Sequence, residues 1–254
     1  MGGAARPAAG GSDALIPTLI VMAALQNGTV SAEEPKRPFR VGEELQYSAK
    51  LGFLRLGTGL ISVESIDTVR GVPSYYFRFA LEGGNSLYRV NSVLESWTGV
   101  NDLKSRRFRQ DITERGKQTR LRTYEIFPDS GYYRLEGESE QPPTPTHPLD
   151  DASFMFYMRT QPLEVGREYR LDLYFRTEKN PVILRVEKRE EMELPDGSRV
   201  NCLVVAPIVG DRGIFAPRQE ARVWLTDDER RIPVQIRTRY PFGVVILRLE
   251  KLTL

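Results

Sequence analysis

The chain has one cysteine, Cys202, and one histidine, His147, in 254 residues. A lone cysteine excludes an internal disulfide framework and a zinc site built from several thiolates. A lone imidazole removes the metal and acid–base schemes that need two, and the scattered acids show no ligand spacing, so neither a metal nor a cofactor is expected. No Gly-x-Gly-x-x-Gly or Walker-type loop occurs, which disfavours a phosphate-cradling site. Charge of one sign is also lacking: 36 Lys and Arg against 34 Asp and Glu leave a net charge of +2. That balance is too mild to point to nucleic acid.

What is present begins with an address. Residues 1–13 are rich in Gly and Ala, and Ala14–Leu25 form an apolar stretch of about a dozen residues, right for a signal-peptide core and short for a membrane-spanning helix. Val30-Ser31-Ala32 offers the small residues a signal peptidase reads. The expectation is a signal peptide over 1–32, cleaved after Ala32, and a periplasmic or secreted domain over 33–254. The alternative is a retained N-terminal membrane anchor.

Beyond Pro38 the apolar pattern has period two. Tyr169, Leu171, Leu173 and Phe175 share one face, with Arg170, Asp172 and Tyr174 on the other; Val182, Leu184 and Val186, then Ala221, Val223 and Leu225, then Val245, Leu247 and Leu249 repeat the scheme. Such alternation marks strands with one packed and one wet face. Turn chemistry separates them at Arg70–Pro73, Pro128–Gly131, Pro195–Gly197, Asp227–Arg230 and Tyr240–Gly243. Cys202 falls on the face of Val200 and Val204, as a small buried hydrophobe. About a dozen strands in a meander of hairpins predict an all-β, mostly antiparallel fold: a large curved sheet, half-barrel or barrel-like. The Pro-rich segment Gln141–Pro148 reads as an extended surface loop outside any sheet. Asp150 or Asp151 then caps a short helix near 151–160, with Phe154, Met155 and Met158 on one face. That helix reads as a plug over the concave side, or as a boundary between two β halves.

Three stretches carry a family resemblance: Gly42–Tyr47 with Gly52–Gly59, Asp150–Arg159, and Val223–Asp228 leading into Arg231–Val234. Together, over roughly Phe39 to Leu254, they resemble the family of unknown function 3108. The resemblance implies an exported bacterial envelope protein, rich in β structure, without assigned catalytic residues.

No catalytic constellation emerges from the residues themselves. His147, Asp150 and Ser153 include the types of a Ser-His-Asp triad but lack a nucleophile elbow, and they read as loop plus helix cap. Paired acids at Glu43-Glu44, Asp150-Asp151, Glu190-Glu191 and Asp227-Asp228 sit side by side in sequence, where strand geometry points neighbours apart. The most suggestive polar feature is a basic stretch, with Arg107, Arg109, Lys117, Arg120 and Arg122 on two neighbouring strands. Paired in a hairpin they would form a cationic patch for a lipid, lipopolysaccharide or anionic glycan. The alternative is a solvated face paired with acids on neighbouring strands. The functional expectation is a non-catalytic envelope protein holding an amphiphilic or anionic ligand in a sheet groove. A structural or assembly factor for another envelope protein stands beside it, and a hydrolase of envelope glycans or lipids behind.

Overall fold

The computed structural model describes residues 2, 36–84, 89–114, 117–210, 215–241 and 243–254. The segment read as a signal peptide, Gly2 apart, and its cleavage position therefore lie outside the described residues. Glu34–Leu254 make up one compact unit, and everything below belongs to it.

Thirteen strands form the sheet: β1 (Glu44–Leu51), β2 (Leu54–Val69), β3 (Val72–Gly84), β4 (Arg89–Gly99), β5 (Ser105–Glu114), β6 (Lys117–Phe127), β7 (Tyr132–Leu135), β8 (Glu168–Leu171), β9 (Val182–Glu193), β10 (Arg199–Ile208), β11 (Arg222–Thr226), β12 (Pro233–Tyr240) and β13 (Gly243–Thr253). Their spatial order is β7-β6-β5-β4-β3-β2-β1-β13-β12-β11-β10-β9-β8, antiparallel throughout. Two sequential meanders are thus joined at one seam, where the first strand pairs with the last. The sheet does not close into a barrel, because β7 and β8 form its two edges. The turn signals fall where expected: the Pro195–Gly197 segment links β9 to β10, and Tyr240 ends β12 just before β13.

One helix, α1 (Ser153–Arg159), lies against the inner face. Phe156 stacks on Phe77 of β3 at 3.9 Å between ring centres, and Phe39 meets Phe156 edge-on at 5.2 Å. Phe154 packs against Phe215 of the β10–β11 connection at 5.7 Å. The same short helix touches strands far apart in the sheet order, so the sheet curls around it as a half-barrel around a plug. Asp150 caps it: its Oδ1 accepts the Ala152 and Ser153 N–H groups at 2.9 Å, while Ser153 Oγ accepts the Asp150 N–H at 2.9 Å. These bonds satisfy donors that a helix start leaves unpaired. The helix is buried on nearly every side, including Arg159, rather than along one stripe.

Three expectations need correction. The Pro-rich segment is no free loop: Tyr133 N–H donates to Pro142 O and Thr144 N–H to Gly131 O, both at 3.0 Å. It extends the β7 edge, where proline's missing donor faces away from the ladder. The same strap then reaches the other edge, where Leu149 N–H bonds Leu173 O at 2.6 Å and Phe175 N–H bonds Leu149 O at 2.8 Å. That parallel bridge accounts for the second correction. Tyr174, expected on a wet face, is fully buried, because β8 ends at Leu171 and the chain turns inward. Third, Trp224 and Thr226 are buried along with Val223 and Leu225. A small outer cluster of Cys202, Val204, Trp224 and Val234 covers the far face of β10–β12, so period two there separates two apolar faces. Cys202 shares that face with Val204 and the partly buried Val200, as read.

Candidate functional site

Antiparallel partners share a face, and this decides the fate of the basic stretch. In the β5–β6 hairpin Phe108 stands opposite Tyr124, Gln110 opposite Arg122, and Ile112 opposite Arg120. Phe108 and Tyr124 are core residues, so Arg120 and Arg122 belong to the inner face. Arg107 and Arg109 stand opposite Glu125 and Thr123 on the outer face. There Arg107 Nε donates to Glu125 at 2.6 Å, and Arg109 pairs with Glu95 and Asp111. The expected single patch is therefore split by the pleat. The outer pair is matched by acids on neighbouring strands, the inner pair is not part of it, and the Lys117 side chain lies outside the described residues, as does Arg115.

The inner pair leads to a cavity of about 150 Å³ that opens to solvent. Its apolar wall is Phe79, Leu81, Leu94, Ile112, Val209 and Phe215; its polar part is Ser92, Gln110, Arg120, Asp151, Arg176 and Lys179. Strand alternation places the wall: Phe79 and Leu81 are two apart on β3, Ser92 and Leu94 on β4, Gln110 and Ile112 on β5. Gly57 allows β2 and β3 to approach here, since a Cβ on it would lie 2.0 Å from Glu82 O.

The polar floor is organised around buried Tyr174. Lys179 Nζ donates to Tyr174 Oη at 3.4 Å and sits 4.7 Å from its ring centre. The Arg176 guanidinium lies between the rings of Phe175 at 5.5 Å, Tyr174 at 5.8 Å and Tyr124 at 5.9 Å. Its nearest acid, Glu178, is 4.0 Å away, and Arg176 Nε, buried, has no hydrogen-bond partner among the described residues. Gln110 Nε2 reaches Asp151 at 3.3 Å. Burial holds the Tyr174 phenol well above its ordinary pKa, so it stays a neutral donor and acceptor. Three cations against one carboxylate, at the end of an apolar wall, suit an anionic head with an apolar tail.

Arg120 is the one residue of the expected patch on this cavity. Arg176 and Lys179 were missed, because the strand pattern ends at Phe175 and only the tertiary turn brings the following residues under the sheet; Asp151 was read as a helix cap or paired acid and not as part of a cavity. The triad types are held otherwise. Ser153 Oγ bonds the Asp150 backbone and Ser105 Oγ at 2.9 Å, and Asp150 Oδ2 accepts from Ser96 Oγ at 2.6 Å. His147 packs 5.7 Å from the Tyr157 ring, and burial lowers its pKa.

The fold and this cavity define a class: an antiparallel half-barrel wrapped around a short helix, with a charged-ended pocket on its inner face. A similar fold occurs in a crystal structure, that of the beta-barrel-like protein of domain of unknown function DUF1849 from Brucella abortus. It shares 9% identity over 84% of this chain and 97% of its own, at a TM-score of 0.54. The hypothetical protein CT021 from Chlamydia trachomatis, 8% identical over 84% and 87% of the two chains, scores only 0.35. No curated protein matches. Residues 46–250 match the family described as protein of unknown function DUF3108, and the chain belongs to that family.

Proposed function

We propose that this chain is a non-catalytic protein of the bacterial cell envelope, periplasmic after loss of residues 1–32, that holds a lipid or other anionic amphiphile in its half-barrel. The observation that supports the reading most is the cavity itself: six apolar side chains on one side, Arg120, Arg176 and Lys179 on the other. A space of this size takes about a benzene-sized group, so the cavity encloses only the part of the ligand where head and tail meet, and the remainder of the tail lies outside it. Ligand sites of this kind are apolar with a few placed polar groups. The likeness to the DUF1849 protein bears on fold alone.

The test is to express the full chain in a bacterial host, purify it from the periplasm without detergent, and extract bound small molecules for mass spectrometry. A stoichiometric anionic amphiphile is expected, lost in Arg176→Gln and weakened in Arg120→Gln. Preparations free of any small molecule, yet holding a stable protein partner after crosslinking, would instead favour an assembly factor.

A further inference from the structure

Pairing places the β1–β2, β3–β4, β5–β6 and β12–β13 hairpins, and the β8–β9 and β10–β11 connections, at one end of the half-barrel. Part of the cavity wall belongs to that end: Leu81, Ser92, Ile112 and Arg120 each lie a few residues from it, and Val209 and Phe215 belong to the β10–β11 connection. The β1–β2 link there has two residues, Gly52 and Phe53, with Gly52 at φ +59°. A glycine first in a two-residue turn fits the tight II′ geometry, which leaves the second side chain at the tip with nothing to fold against. Phe53 is accordingly 95% exposed, and Leu54 is 53% exposed, so the most exposed large apolar side chain among the described residues stands at this same end of the sheet.

Its flanks are basic. Lys50 and Arg55 are direct cross-strand partners, a like-charge pairing that weakens a hairpin. Glu250 binds Arg55 directly, through two bonds at 3.0 and 2.8 Å, and meets Lys50 only through its charge, so one carboxylate faces two cations. An arrangement that is unfavourable in water becomes favourable against a surface carrying negative charge, and an aromatic tip beside two cations matches the apolar-under-anionic layering of a lipid interface. We propose that this end of the half-barrel docks on an anionic lipid bilayer, with Phe53 and Leu54 inserted among the headgroups and Lys50 and Arg55 over them. Building on the amphiphile-holding reading above, docking in this orientation brings the end of the half-barrel that holds part of the cavity wall to the membrane, the source of an amphiphile.

The probe is vesicles of phosphatidylglycerol and phosphatidylcholine, mixed with full-length protein carrying Phe53→Trp, a reporter at the tip that the N-terminal segment cannot mimic. Its emission is expected to shift to the blue with the anionic vesicles, weakly with phosphatidylcholine alone, and less at high salt. Phe53→Asp should weaken vesicle binding about tenfold, as loss of one buried Phe implies, with unchanged far-ultraviolet circular dichroism. Lys50→Glu should weaken it in low salt only. Emission that no vesicle moves, or binding indifferent to Phe53→Asp, overturns the proposal; so does a tip that binds protein instead of lipid. The two readings separate on the same samples. Bound amphiphile without a tip response sinks docking and spares the cavity, and a tip response without bound amphiphile does the reverse.

Discussion

Asp150 is completely buried, and its two oxygens accept hydrogen bonds from the helix start and from Ser96. Burial outweighs those bonds and pushes its pKa up to about 6. A carboxyl whose folded pKa stands above its unfolded one takes up protons on folding. Its contribution is whole below about pH 4 and is lost as the pH rises through about 6, by roughly 3 kcal/mol for a rise of this size. Asp150→Asn keeps an acceptor for the helix and cannot ionise. Urea unfolding of both proteins from pH 4 to 7.5 should therefore show the gap moving in favour of Asn as the pH rises, and a constant gap would refute the assignment. Residue type and position were legible here, since an Asp before a helical run reads as a cap. Its titration was not, because depth of burial follows from which strands close over it. Cys202 is the opposite case: the strand pattern already placed it inside, and burial pushes its thiol up to about 12.

At the scale of elements, α1 is held by an ion pair that the sequence leaves unmarked. Arg159 donates to Glu43 at 2.5 and 3.1 Å, to Pro38 O at 2.6 Å and to Arg230 O at 3.0 Å. Both side chains are nearly inaccessible, at 1% and 2% exposure. The helix end, the segment before β1 and the β11–β12 turn thus share one guanidinium. Arg159→Met strands a buried carboxylate and two carbonyls, so a loss of about 3–5 kcal/mol is expected. The double variant Arg159→Met/Glu43→Leu should lose less than the sum of the singles in a denaturation cycle; strict additivity would mean the pair is not coupled. Glu43 and Arg159 are 116 residues apart, and nothing local pairs them. The Pro-rich strap makes the same point from the other side. Its prolines were read as unable to pair in a sheet, yet Pro143 bridges Tyr132, because an edge needs only alternate donors, which Tyr133 and Thr144 supply.

In the whole molecule, each meander is built from neighbours in sequence, and only the β1–β13 pairing joins them into one sheet. Ending the chain at Tyr240 removes that seam and leaves β1 and β12 with open edges. The expected result is loss of the single cooperative unfolding transition, together with dye binding to newly exposed apolar surface. A shortened chain that unfolds in one sharp step would show that the strap and helix suffice to hold the halves together.

The strand count, the hairpins, the helix and its cap follow from the sequence alone, because alternation, turn residues and capping are local and each is set by a handful of neighbours. Which face a given cation occupies was decided only by register: one residue of slip exchanges the two sides, and the pairing sent Arg107 and Arg109 outward while Arg120 and Arg122 went in. The cavity needed tertiary structure for the same reason. Arg120 comes from β6, and Arg176 and Lys179 from the β8–β9 connection, and only the curl of the sheet around α1 brings them to one apolar wall.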